Sequence, residues 1–246
     1  MVGAVMSWGA PLQVQGDLTS DSGETARIGM FILVIGGWVI SLCLHEFTHA
    51  YLAHRAGDHT ISQRGYLTLN PLKYSHWLLS ILLPLVFIIS GGIGLPGGAV
   101  YLHPHVFKTK LQRSMASFCG PLTNLVIGAI LLVGLRVIQP NEHYFFWSAI
   151  AVIGWFQITA ALLNLLPIPG LDGYGTIEPY LSVETQRALE PFKQWGMIGL
   201  FLVLYSARNI NAAFFNLVDH VYNWTGAPYL YFHDGYVLFR FWKHLV

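Results

Sequence analysis

The sequence predicts an all-α protein that crosses a membrane several times. Hydrophobic residues fill 54% of its 246 positions and charged residues only 10%, less than half of the roughly 25% found in soluble domains. Too few charges remain to build a water-facing surface. Mean hydropathy is +0.52, and the apolar residues gather in runs near the ~20 residues that a spanning helix requires.

About five such runs follow one another. The first extends from Ile28 to about Leu52 and the second from Trp77 to about Ile93, with Pro84 inside it. Met115 to Ile138 forms the third and Phe145 to Leu166 the fourth. Trp195 to Tyr205 is the core of a fifth, introduced by the polar turn Glu190 to Gln194. Residues 1–27 read as a polar N-terminal segment, with Asp17, Asp21 and Glu24 and no signal-peptide pattern. Residues 28–224 read as the membrane domain, and 225–246 as an aromatic tail suited to the membrane interface. No internal repeat stands out.

Residues 91–107, GGIGLPGGAVYLHPHVF, hold too many glycines and prolines for a regular helix. Irregular backbone sits at membrane depth only when buried in protein or lining a wet cavity. The segment therefore reads as a short re-entrant or hairpin-like return, with an ordinary external loop as the alternative.

With the first helix running inward and the return segment bringing the chain back, Arg55, Arg64, Lys73, Lys108, Lys110, Arg113, Arg187 and Lys193 share one side. Arg27, Arg136 and Arg208 lie on the other. The richer side is the cytoplasmic one by the positive-inside tendency. This places the ends of the first and fourth helices in the same, cytoplasmic half of the bilayer. A net charge of +1 offers no basic surface for nucleic acid. Two cysteines, Cys43 and Cys119, make neither a disulfide framework nor a cysteine metal site.

The chemistry concentrates in His45-Glu46-Phe47-Thr48-His49. Histidines four apart share a helical face, so both imidazoles can reach one ion. Glu46 stands beside the first, where a carboxylate can take a proton from water activated by zinc. Ionisable groups inside a spanning helix each cost several kcal/mol and mark function by default. A catalytic zinc takes three protein ligands, and Asp172 is the candidate third. It follows the fourth run in Asn164-Leu165-Leu166-Pro167-Ile168-Pro169-Gly170-Leu171-Asp172-Gly173, where the prolines break the helix and the glycines let it turn. The plainer alternative makes Asp172 an interfacial turn residue.

Together these features resemble the site-2 protease family of intramembrane zinc metalloproteases, in its compact bacterial form without a PDZ domain. The HEFTH helix matches the family's metal-binding helix, and Asn164 to Gly173 matches its N-x-x-P-x-P-x-L-D-G signature. Gly120-Pro121-Leu122-Thr123-Asn124 looks like its G-P-x-x-N element, and Tyr66 to Leu72 resembles a stretch of the compact members. The resemblance implies a three-helix catalytic core (about 28–55, 115–138 and 145–166) and zinc held by His45, His49 and Asp172. It implies Glu46 as catalytic base, and transmembrane proteins as substrates within the lipid bilayer. A bacterial inner membrane is the expected location.

The same resemblance suggests that Asn164 and the irregular 91–105 segment present an unwound substrate strand. The Asn164 amide suits an oxyanion or substrate backbone, and equally a hydrogen-bonded tie between helices. Asn124 reads as structural. Departures from the family's pattern occur at Lys73 to Trp77 and at Tyr174-Gly175. The alternatives in other functional classes are a catalytically silent zinc-binding protein and a metal transporter. Glu46 speaks against the first and the missing repeat symmetry against the second. His54, Asp58 and His59 read as solvated loop. His103 and His105 flank the return segment, and His220, His233, Asp219 and Asp234 have no specific spacing.

Overall fold

The computed structural model describes residues 21–73, 106–140 and 142–240. Among these every regular element is helical. The second apolar run, His103, His105 and all but the last two residues of the 91–107 segment lie outside the described residues.

Helix α1 (Asp21–Ala56) begins before the apolar run and stops at Gly57, whose φ of +115° suits a helix-terminating glycine. A short α2 (Thr60–Gln63) follows, then a 3₁₀ turn at Pro71–Lys73. Helix α3 (Lys110–Ile138) is capped by Thr109, whose side chain accepts from the Gln112 amide, and carries Pro121 within it. Helix α4 (Tyr144–Asn164) is the most enclosed of the long helices. The chain then breaks and continues through α5 (Asp172–Ile177), a 3₁₀ turn at Glu178–Tyr180 and α6 (Val183–Leu189). After a 3₁₀ turn at Glu190–Phe192 come α7 (Gly196–Ser206), α8 (Arg208–Trp224) and α9 (Tyr229–Phe239).

Three described helices are long and apolar enough to cross a membrane: α1 from Thr25, α3 and α4. The fifth run differs from a plain span. It gives only the 11-residue α7, and the chain bends by 101° into α8. The reason lies in composition: α7 is uniformly apolar, whereas α8 alternates Asn209, Asn216, His220 and Asn223 with Phe214, Phe215 and Val218. The apolar face of α8 packs against α4, with Val218 and Tyr222 buried.

Helix α4 is the post around which α1, α3, α8 and α9 pack. Small residues set the spacing. A Cβ on Gly154 would come within 2.6 Å of Leu132, and one on Gly37 within 2.6 Å of Ile153, so these glycines let backbones approach closely. On the outer faces Ile32 and Ile40 of α1 and Ile130 and Val137 of α3 are all more than 60% exposed. Lipid is the solvent such faces fit.

Part of the aromatic tail packs into the core. Its residues from Tyr229 form α9, which docks on α4 and buries Phe232 and Phe239 completely. Trp155 of α4 is stacked between Phe215 of α8 (5.7 Å) and Phe232 of α9 (5.1 Å), and its indole donates to Asp219 at 2.9 Å. Buried Asp234 accepts from Tyr144 at 2.7 Å and pairs with His233 at 3.0 Å. The late acids thus serve packing, satisfying polar groups within an apolar core. Phe232→Ala should cost about 3 kcal/mol or more, read as a lowered unfolding midpoint in detergent. A surface belt residue would leave the midpoint in place.

Candidate metal centre

His45 and His49 lie one turn apart near the C-terminal end of α1, each 4% exposed. Their Nε2 atoms are 3.0 Å apart. The break after α4 brings Asp172, the first residue of α5, against both: Oδ2 lies 3.2 Å from His45 Nε2 and 3.4 Å from His49 Nε2. Among the described residues this is the group of His, Cys, Asp and Glu able to hold a metal ion.

The donor chemistry fits zinc. Tetrahedral zinc with bonds of about 2.0–2.2 Å separates its ligand atoms by roughly 3.3–3.5 Å, close to the three edges observed. Both ring tautomers are also set from behind. His49 Nδ1 donates to the Ala116 carbonyl at 2.6 Å, and His45 Nδ1 donates to Asn124 Oδ1 at 3.1 Å. Each Nε2 then presents a lone pair to the centre, the arrangement found behind metal-ligating histidines. Two lone pairs and a carboxylate converging in apolar surroundings repel unless a cation joins them.

Helix α3 supplies the backing. Ala116, Gly120 and Asn124 recur every four residues and so form one stripe along it. The stripe reads acceptor, gap, acceptor against His49 and His45. The gap is required: a Cβ on Gly120 would overlap the His49 ring and come within 2.8 Å of His45 Cε1. Thr48 and Thr123 meet at 3.0 Å beside it and latch the two helices. Asn124, read from sequence as structural, therefore orients a candidate ligand. The G-P-x-x-N spacing, placing glycine and asparagine four apart, was the signal for it.

Glu46 is 2% exposed, with Oε1 3.9 Å from His45 Nε2. Asn164, the last residue of α4, is buried. Asp58 is not solvated as expected but 2% exposed, accepting from the Thr60 backbone and hydroxyl at 3.1 and 2.6 Å. His54 and His59 meet edge to face, and His220 packs on Trp224. Tyr174 is buried, and its hydroxyl has no partner among the described residues. Burial raises its pKa, with the Glu178 charge adding to that. For Lys193 burial acts to lower the pKa, but hydrogen bonds to Glu178 and Glu190 outweigh it and hold the ammonium above its ordinary value.

Over 217 residues, 88% of the chain and 83% of the relative, the sequence is 54% identical to a Mycolicibacterium smegmatis protein named "Putative zinc metalloprotease Rip2". The chain belongs to the site-2 protease-like family of zinc metalloproteases. It is 46% identical to the Mycobacterium tuberculosis protein of the same name, over 98% of the chain and 90% of the relative. To the Bacillus subtilis protein named "Putative zinc metalloprotease YwhC" it is 32% identical, over 68% of the chain and 77% of the relative. No protein-family model and no solved structure matches the chain. Zinc is the cofactor that this membership implies.

Two outcomes follow for the centre. Zinc measured per chain in detergent-purified Asp172→Ala should fall at least about tenfold below wild type; full retention would place the third ligand elsewhere. Gly120→Ala should likewise lose zinc while keeping its helical circular dichroism, because the added methyl displaces the His49 ring. Wild-type zinc content in that variant would mean the histidines do not bind as this geometry has them.

Proposed function

We propose that this metalloprotease hydrolyses peptide bonds within or next to the transmembrane segments of other proteins, working in the cytoplasmic half of a bacterial inner membrane. The observation that carries the reading is the meeting of His45, His49 and Asp172 within 3.4 Å at the end of a helix of membrane-crossing length. The excess of Lys and Arg beyond the inner ends of α1 and α4 supports the orientation.

Zinc held by His45, His49 and Asp172 would supply a Lewis acid that acidifies water and polarises the scissile carbonyl. Glu46, one residue from the first of these and enclosed beside it, receives the proton as water attacks. It then returns the proton to the leaving amine. Its near-complete burial keeps bulk water from competing for that proton. Asn164, buried at the end of α4 beside the helix break, is placed where its amide could donate to an oxyanion or a substrate backbone. A substrate helix shields its own peptide bonds by hydrogen bonding, so the segment must unwind, and helix-breaking residues near the cut assist this.

A catalytically silent zinc protein has no use for an enclosed glutamate at this position. The test is purified Glu46→Gln with a membrane-segment substrate containing such breakers. Cleavage should fall by at least about 10²-fold while bound zinc stays at the wild-type level. Undiminished cleavage would overturn the reading.

A further inference from the structure

Asp172 sits on a six-residue helix preceded by broken backbone, which by itself is a weak support for one corner of a metal site. The residue that closes the far end of α5 is Glu178, a carboxylate only 6% exposed and not used by the mechanism above. One oxygen accepts from Arg113 of α3 at 2.7 Å, and the other accepts from Lys193 at 2.8 Å. Lys193 also pairs with the exposed Glu190 at 2.7 Å.

We propose that Glu178 is a positioning residue for the metal site: paired with Arg113 and Lys193, it clamps the turn that carries Asp172 against α3. This rests on the reading of Asp172 as a zinc ligand.

Both anchors lead to the site. Arg113 is one turn before Ala116 and Ser117 on α3. Ala116 holds His49 through its carbonyl, and Ser117 lies so near α5 that a Cβ on Gly175 would come within 2.6 Å of its hydroxyl. The side chain of Arg113 therefore fixes α5 to the same face that orients the histidines. Lys193 reaches the turn twice. Its ammonium binds Glu178 after Asp172, and its backbone carbonyl lies against Gly170 before it, where any Cβ would overlap that carbonyl. Gly170 also has a φ of +96°, a region glycine alone enters freely. Next along, Gly196 packs on the Pro169 carbonyl in the same manner. The segment from 169 to 178 is thus gripped at both ends by one partner strand of chain and pinned to α3 between.

A carboxylate with two cationic partners suits this use. Charge-assisted bonds are the strong, directional ones, and an arginine fixes geometry as well as distance. Removing the charge leaves two cations without their shared anion, and the turn is then free to shift. Groups that orient metal ligands from outside the ligand set typically change metal affinity 10–100-fold.

The experiment uses full-length protein in detergent, with zinc affinity measured by chelator competition and cobalt(II) substituted to read the ligand field. Glu178→Gln should bind zinc about 10–100-fold more weakly and weaken or shift the visible cobalt bands. Arg113→Lys, which keeps the charge but loses the fixed guanidinium geometry, should weaken zinc less than Glu178→Gln does, and Glu190→Gln should match wild type because Lys193 retains Glu178. Cobalt bands and zinc affinity unchanged in Glu178→Gln would overturn the clamp even if the protein melts earlier, since a purely structural ion pair would change melting alone. Should Glu178→Gln fail to fold, Arg113→Ala and Lys193→Ala carry the same expectation, and unchanged zinc affinity in both overturns the clamp. A folded wild type that binds neither metal would instead overturn the zinc assignment beneath it.

Discussion

Two imidazole lone pairs and a carboxylate oxygen are brought within 3.4 Å of one another in an apolar bundle. The rest of the molecule can be read as the means of holding them there. Such a convergence is unfavourable without a cation, so each participant has to be prevented from turning away. His45 and His49 are held by their spacing on α1 and by bonds from behind. The bonds come from a single stripe of α3, running opposite in direction, in which 124, 120 and 116 answer 45 and 49 in order. Two acceptors fix the rings, and the glycine between them makes room for both. Neither acceptor would be effective without the close approach that Gly120 permits.

The bundle behind the site follows a different rule. In lipid there is little hydrophobic drive to press apolar helices together, so close packing and hydrogen bonds must do it. Helix α4 shows both. Gly154 takes the side chain of Leu132, while Trp155 is held between two aromatic rings and by Asp219. The final helix completes this arrangement, with Gly235 against the Ser148 backbone and Asp234 joined to Tyr144. A rigid α4 matters because the turn leading to Asp172 starts from its end.

The parts legible in the sequence were those with a short repeat or a chemical rarity. Apolar run length gave α1, α3 and α4, and the spacing of His45 and His49 put both rings on one face, where they meet Asp172. Asp172 stood out because carboxylates are scarce in apolar sequence. The rest depended on partners distant along the chain. The G-P-x-x-N spacing puts Asn124 on the face of Gly120 but does not name the histidine 79 residues earlier that bonds to it, and Glu178 resembles any loop acid until Arg113 and Lys193 arrive. The tail was ambiguous for a related reason: aromatics suit a membrane interface and a packed core equally, and only the docking of α9 on α4 shows that Phe232 and Phe239 enter the core. The bend after α7 was legible in principle, since apolar composition gives way to a two-faced pattern at Arg208.

The interruption after α4 shows how fold and chemistry meet. Were α4 to continue as a helix, residue 172 would lie roughly 12 Å beyond Asn164 along its axis, at 1.5 Å per residue. The chain instead turns back, and Asp172 reaches the level of His45 and His49. Broken backbone in apolar surroundings is costly because of its unpaired amides, yet Pro167 and Pro169 have no amide hydrogen to satisfy. Leu166, Ile168 and Leu171 donate theirs to the carbonyls of Leu163, Leu166 and Ile168, at 3.2, 2.8 and 3.0 Å. The prolines thus end the helix and at the same time lower the cost of ending it there. A polar loop could turn the chain as sharply, but it would bring competing donors and acceptors beside the one carboxylate that meets both histidines.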